Sequence, residues 1–227
     1  MQTSKRHFLK CTGTLLAGVA AYRLAYATAH PEAKPDAAKQ YILIHDQTQC
    51  IGCDACAIAC RQTNQVPAEV SRLTIVRHGP YGEYPNQQYH FERQSCQQCE
   101  NAPCVMVCPT GAAYRDPQTG IIKVDDWKCV GCQYCIAACP YQVRFINPVT
   151  RAADKCDFCA ETKLKQGELP ACVQACPTQA LQFGDSLDKD AQVRKTLNSA
   201  AVIRDNESLG TRPKVFIIAD AKGEVTI

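Results

Sequence analysis

Sixteen cysteines stand in four groups of four: Cys50, Cys53, Cys56 and Cys60; Cys96, Cys99, Cys104 and Cys108; Cys129, Cys132, Cys135 and Cys139; Cys156, Cys159, Cys172 and Cys176. Groups one and three are spaced C-x2-C-x2-C-x3-C, group two C-x2-C-x4-C-x3-C and group four C-x2-C-x12-C-x3-C. Thiolates in such numbers are metal ligands before they are anything else. A cubane [4Fe-4S] cluster needs four of them at the corners of a tetrahedron. A tight Cys-x-x-Cys-x-x-Cys loop wraps only three corners, so the fourth must come from elsewhere.

In the bacterial ferredoxin run C-x2-C-x2-C-x3-C-P the fourth Cys ligates the other cluster of a pair, so each motif gives three ligands to its own cluster and one to its partner. Pro109, Pro140 and Pro177 follow the last Cys of groups two, three and four. A proline there fixes φ and is expected to end the short helix carrying that Cys. Gly52 and Gly131, in Cys-Ile-Gly-Cys and Cys-Val-Gly-Cys, leave backbone N–H groups free to turn toward cluster sulfur. Other uses of the thiols fit worse. Disulfides are permitted in an exported protein, but Cys-x-x-Cys neighbours cannot all pair without strain. Zinc commonly takes two Cys-x-x-Cys pairs, and a triple loop supplies the wrong number. A redox dithiol needs one or two pairs near a βαβ pattern.

The elements that must hold these loops are short. Cys108-Pro109-Thr110-Gly111-Ala112 and Cys176-Pro177-Thr178-Gln179-Ala180 are near copies, each leading into a strand-like run, Ala113-Tyr114-Arg115 and Leu181-Gln182-Phe183. Apolar-alternating runs, Tyr41 to His45 and Ile121 to Val124, precede groups one and three. The unit is strand, cluster loop, short helix, strand. Residues 116–120, Asp-Pro-Gln-Thr-Gly, predict a hairpin turn. Residues 61–95 are longer than this unit needs. Leu73 to Val76 and Tyr89 to Phe91 flank Gly79-Pro80-Tyr81-Gly82, which reads as an inserted β-ribbon, either a docking surface or plain packing. After Gly184 come a predicted helix, Asp188 to Ala200, and a last strand, Lys214 to Ile218.

The sequence has 227 residues, 17 of them Cys, with only 6 Phe, 1 Trp and 2 Met. A large aromatic core is excluded, which leaves metal or covalent staples to supply stability. Mean hydropathy is −0.25 and no run approaches the roughly 20 apolar residues of a spanning helix. The net charge of +3 comes from residues 1–29, where Lys5, Arg6, Lys10 and Arg23 face no acid. Without those four, 21 basic residues oppose 22 acidic ones, and no nucleic-acid footprint remains. Ser4 to Lys10 is a basic region, Thr14 to Ala21 is weakly apolar, and small-residue sites end at Ala27 and Ala29: the plan of an export signal. It resembles a twin-arginine (Tat) signal with Lys5 where the first Arg belongs. Cys11 lies inside it and receives no function. The division expected is a Tat-like signal over 1–29, a linker over 30–40, a four-cluster ferredoxin-like domain over 41–185 with the ribbon at 61–95, and a C-terminal extension over 186–227.

Sixteen ligands for four cubanes leave no open iron, and the sequence shows neither a nucleotide loop nor a nucleophile–base arrangement, so no catalytic residue is assigned. The five His are scattered. His78 and His90 on the ribbon read as packing or solvent-exposed groups, and Trp127 and Tyr134 beside group three as cluster shielding.

Four such motifs in this order, with the Cys-x12-Cys of group four, resemble the four-cluster ferredoxin-like iron–sulfur subunits: the electron-transfer B subunits of the DMSO-reductase/polysulfide-reductase group and the similar NrfC type. The resemblance covers about residues 41–220. It is strongest in Cys129 to Tyr141 and in Asp154-Lys155-Cys156-Asp157-Phe158-Cys159, and the tail Gly210 to Phe216 is similar to the polysulfide/thiosulfate type. Arg61, where Pro would follow the fourth Cys, departs from the pattern. The resemblance implies an α+β fold of tandem bacterial-ferredoxin-like (2 × [4Fe-4S]) modules with an inserted β-ribbon and a C-terminal extension. It implies four [4Fe-4S] clusters, held by Cys50, Cys53, Cys56 and Cys176; by Cys156, Cys159, Cys172 and Cys60; by Cys96, Cys99, Cys104 and Cys139; and by Cys129, Cys132, Cys135 and Cys108. It further implies an electron relay, not an enzyme, in anaerobic respiration. The partners would be an integral membrane quinol-oxidising subunit, NrfD/PsrC-like, and a multihaem cytochrome or molybdopterin catalytic subunit. The location would be periplasmic, peripheral to the inner membrane. A free-standing soluble polyferredoxin is the alternative; the ribbon and tail argue against it.

Overall fold

The computed structural model describes residues 39–220, so the export-signal reading of residues 1–29 lies outside the described residues. Among those described, no helix is long and apolar enough to cross a membrane.

The strand before group one, β1 (Tyr41–Asp46), is the middle of a three-stranded sheet. It pairs antiparallel with β8 (Leu181–Asp185), the strand after group four, with Leu43 opposite Phe183. On its other edge it pairs parallel with β9 (Val215–Ile218), with Leu43 opposite Val215. The run Tyr-Ile-Leu-Ile-His was expected to alternate, but both its faces are covered, and a strand buried on both faces reads as continuously apolar. Ile42 and Ile44 pack on Val193 and Leu197 of the helix over Gln192–Ser199. Leu43 points the other way, into a core shared with Cys56, Cys60, Cys156 and Cys172. That helix begins four residues later than expected because the Asp188 carboxylate accepts the Asp190 N–H at 2.9 Å, holding a turn where a first helical residue would stand.

The second module repeats the plan on a smaller scale. β4 (Ala113–Arg115), after group two, pairs antiparallel with β5 (Ile122–Val124), before group three. The expected hairpin forms, closed by Asp116, whose side chain accepts from the N–H groups of Gln118 and Thr119. A further two-residue hairpin, β6 (Phe145–Ile146) with β7 (Ala153–Asp154), joins groups three and four. Its Asn147-Pro148 pair is a turn signal, and the turn is held by the Asn147 side chain, which accepts from Val149 and Thr150.

The ribbon consists of β2 (Leu73–Tyr81) and β3 (Gln88–Ser95), antiparallel, with Val76 opposite Glu92 and His78 opposite His90 and an irregularity between His78 and Tyr81. Its foot is buried through Leu73, Arg93 and Ser95, and its tip is open, Tyr84 being 87% exposed. The result is an α+β assembly of small sheets and short helices in two ferredoxin-like halves.

Among the described residues, five α-helices lie between these strands: α1 (Ala55–Thr63), α2 (Pro103–Met106), α3 (Tyr134–Ala137), α4 (Ala171–Gln174) and α5, the helix over Gln192–Ser199. The expectation that the fourth Cys of groups two, three and four sits on a helix ended by the following Pro is corrected. In groups two to four the helix carries the third Cys (Cys104, Cys135, Cys172), and Cys108, Cys139 and Cys176 lie just beyond it. Only group one keeps its fourth Cys in the helix, because Arg61 stands where the others have Pro and α1 runs on to Thr63. The Arg61 guanidinium then donates to the carbonyls of Val66 and Pro67, tying down the segment that leaves the helix.

Candidate iron–sulfur sites

Strand pairing and helix packing act together on the cysteines. α1 packs on α4, bringing group one beside group four, and α2 packs on α3, bringing group two beside group three. One cavity is lined by Cys50, Cys53, Cys56 and Cys176, with His45 and Ile75 on its wall. Another is lined by Cys108, Cys129, Cys132 and Cys135, with Arg144. Cys60 lies near Cys156, Cys172 and Cys159. Cys99 lies near Cys96, Cys104 and Cys139. All sixteen are free thiols in the structure, which leaves each available as a ligand.

The turn that shapes each loop is the same in all four. The residue before the second Cys has a left-handed backbone: Gly52 at φ 67°, Gln98 at 51°, Gly131 at 66° and Phe158 at 57°. Glycine adopts this conformation freely, whereas other L-residues bear roughly 1–2 kcal/mol. Gln98 offsets that cost by bonding. It is wholly buried, donating to the Cys156 carbonyl and accepting from the Ile122 N–H, both at 2.7 Å. Phe158 offsets it by packing, 1% exposed and edge-on to Phe183 at 5.2 Å.

The protonation chemistry of the donor set fits an iron–sulfur cluster. Burial pushes the Cys56 thiol up to about 11 and those of Cys99 and Cys172 up to about 12, and it raises Cys60 further. Without a metal such thiols stay protonated; binding must displace the proton, and four thiolates around a cationic core compensate one another. Among the described residues no three His, Cys, Asp or Glu converge on a point that a single metal ion could occupy. Four cysteines round a cavity suit a polynuclear centre better than one zinc.

Several groups are aimed at cysteine sulfur. The Ala113 N–H reaches Cys108 Sγ and the Ala153 N–H reaches Cys129 Sγ, both at 3.3 Å. At Cys108 the effect of burial is outweighed by such donors and the thiol is lowered. Asn64 Nδ2 lies 3.4 Å from Cys159 Sγ. Bonds of this kind tune cluster potential. Asn64 is the residue after α1, and only the helix extension allowed by Arg61 brings it there. Thr110 and Thr178, twins in the Cys-Pro-Thr repeat, stand 3.8 and 3.7 Å from Cys108 and Cys176.

Other readings change with the structure. His45 is not scattered: it is 1% exposed beside the first cavity, and burial, then Arg93, lowers its pKa to about 4, so it is neutral. Trp127 is 99% and Tyr134 61% exposed, so neither covers a site as expected. His78 and His90 stack on each other at 4.6 Å on the ribbon, with His78 Nε2 2.8 Å from Glu92, and have no part in the cysteine sites.

Two family models described as 4Fe-4S dicluster domain match the sequence, one over residues 49–112 and one over residues 87–186. The protein is 51% identical over 221 residues to a protein named "Protein NrfC homolog" from Haemophilus influenzae, covering 97% of each. It is 52% identical to the B subunit of the polysulfide reductase of Wolinella succinogenes, covering 83% of this sequence and 98% of that one. It is 50% identical to "Thiosulfate reductase electron transfer subunit PhsB" of Salmonella typhi, covering 74% and 87%. With identities of this size over most of its length, and with paired cysteine quartets in two tandem halves, the protein belongs to the 4Fe-4S dicluster, ferredoxin-like iron–sulfur proteins of the NrfC and polysulfide reductase B-subunit family.

Proposed function

We propose that this protein is the electron-transfer subunit of a respiratory reductase. It relays electrons from a membrane quinol-oxidising subunit, NrfD/PsrC-like, to a periplasmic terminal reductase, either a multihaem cytochrome or a molybdoenzyme. The observation that supports the reading is that cysteines line two cavities and lie near one another elsewhere, and we assign the sixteen to four adjoining quartets. The first is Cys50, Cys53, Cys56 and Cys176; the second, Cys156, Cys159, Cys172 and Cys60; the third, Cys96, Cys99, Cys104 and Cys139; the fourth, Cys129, Cys132, Cys135 and Cys108. Each would hold one [4Fe-4S] cluster, which, when bound, supplies one-electron redox chemistry.

The polypeptide's part is spacing and insulation. Fixed loops hold the ligands still, so reorganisation on electron arrival is small. Successive quartets adjoin: Cys56 and Cys60 share α1, and Cys96 lies near enough to Cys156 to act on it electrostatically. The second and third quartets are the more enclosed. Cys53 of the first and Cys132 of the fourth are exposed, which suits those ends to exchange with partners. Export by the Lys5-Arg6 signal would place the protein at the periplasmic face of the inner membrane.

Anaerobic detergent extraction of native membranes, followed by size separation and addition of a reduced quinol, tests this. The protein is expected well above its own 24.9 kDa mass, and its visible cluster absorption to bleach on quinol addition. A lone peak at the single-polypeptide mass that quinol does not bleach would make it a free carrier instead.

A further inference from the structure

Two arginines are buried with no partner for most of their nitrogens. Arg93, on β3 at the foot of the ribbon, is 4% exposed; one Nη donates to Ser95 Oγ, while Nε and the other Nη have no hydrogen-bond partner. Arg144, just before β6, is 5% exposed and neither of its Nη atoms has a partner. Among the described residues the arginines seen in ion pairs are Arg72, Arg204 and Arg212, and neither buried arginine is among them. A guanidinium cannot shed its proton, and an uncompensated buried charge costs several kcal/mol. Something must balance each.

The ionisable groups that act most strongly on each are cysteines. Arg93 faces Cys172, Cys156 and Cys60 of the second quartet and Cys56 of the first. Arg144 faces Cys104 and Cys96 of the third quartet and Cys135 of the fourth, and it lines the fourth quartet's cavity. One module receives its arginine from the inserted ribbon and the other from the segment between groups three and four. These segments are unrelated by the internal repeat, yet the placement is the same: one cation between the two quartets of each module.

We propose that Arg93 and Arg144 are fixed cations, each set between the two clusters of its module and making both easier to reduce. The inference rests on the cluster-ligand reading above. Four thiolates around an iron–sulfur core are anionic and become more so by one charge on reduction. A buried positive charge therefore favours the reduced form, and one placed between two clusters also weakens the repulsion between electrons held on both. Arginine suits the place because its charge is permanent and its donors fan out to more than one sulfur. The ribbon thus does more than extend the surface, since it delivers the cation of the first module.

The test is an anaerobic redox titration followed by EPR on the full holo-protein, comparing wild type with Arg93→Met, Arg93→Lys, Arg144→Met and Arg144→Lys, with iron counted in each. Each Met variant is expected to shift the reduction equilibrium of its own module's clusters at least tenfold toward the oxidised form, 59 mV for one electron. The clusters of the other module should shift less, and each Lys variant should recover most of the change. If a Met variant loses iron while its Lys counterpart keeps it, a positive charge is required there and the proposal is supported. Unchanged potentials in fully loaded Met variants would overturn it. So would equal shifts in both modules, or Lys behaving like Met, including loss of iron from both. Failure of the ligand reading would look different: the wild type itself would lack its iron.

Discussion

Phe91 of the ribbon lies over Gly52 of the first cysteine loop, so closely that a Cβ on Gly52 would overlap its ring. Gly52 also has φ 67°, so its lack of a side chain serves both the turn and the contact. The ribbon and the first cysteine loop therefore constrain each other's position.

Gly52→Ala should accordingly disturb one site and spare three. The left-handed alanine costs roughly 1–2 kcal/mol before the clash is counted, and the clash pushes Phe91 or the loop outward. Iron content should fall by about four per polypeptide while the other clusters remain EPR-visible. Full iron content in the variant would show that the loop tolerates the displacement.

Gln98 joins the two modules by donating to the carbonyl of Cys156 and accepting from the N–H of Ile122. Gln98→Leu leaves the Ile122 N–H buried and unpaired at about 1–3 kcal/mol, while the Cys156 carbonyl keeps the Lys155 ammonium at 3.0 Å. Anaerobic denaturant unfolding of the holo-protein should show a loss of about 1–3 kcal/mol. A loss well below about 1 kcal/mol would mean that water or a backbone shift satisfies the Ile122 N–H.

Lys214 predicts a pH dependence. It is 5% exposed, donates to the Gly120 carbonyl at 3.1 Å, and has its pKa lowered to about 8 by burial and then by Arg115. Below pH 8 the ammonium is charged in both states, and the folded state bears its desolvation. Between about 8 and the ordinary 10.5 the unfolded state binds more protons, so stability rises with pH. The rise is on the order of 3 kcal/mol. Lys214→Met should flatten the unfolding free energy over this window relative to wild type; an identical slope in both proteins would contradict the assignment.

Much of this was legible in the cysteine spacing, because cluster geometry constrains spacing more tightly than helix or strand propensity does. The strands beside the groups were readable as short apolar runs, whereas the pairing of group one with four and of two with three was what the family resemblance implied, not something the spacing showed. The left-handed turn was visible at Gly52 and Gly131 but hidden at Gln98 and Phe158, where hydrogen bonding and packing offset the strain that glycine avoids. The buried cations Arg93 and Arg144 gave no signal, since neither lies in a motif and burial of a charge depends on contacts distant in sequence. Trp127 misled because nearness in sequence to Cys129 was taken for cover, and the structure turns it to solvent.

Metal and sulfide analysis of the anaerobically purified full-length protein tests the central claim most directly. Four cysteine quartets predict about sixteen irons and about sixteen acid-labile sulfides per polypeptide, with no stoichiometric zinc. About eight irons or fewer, or zinc in their place, would contradict the account.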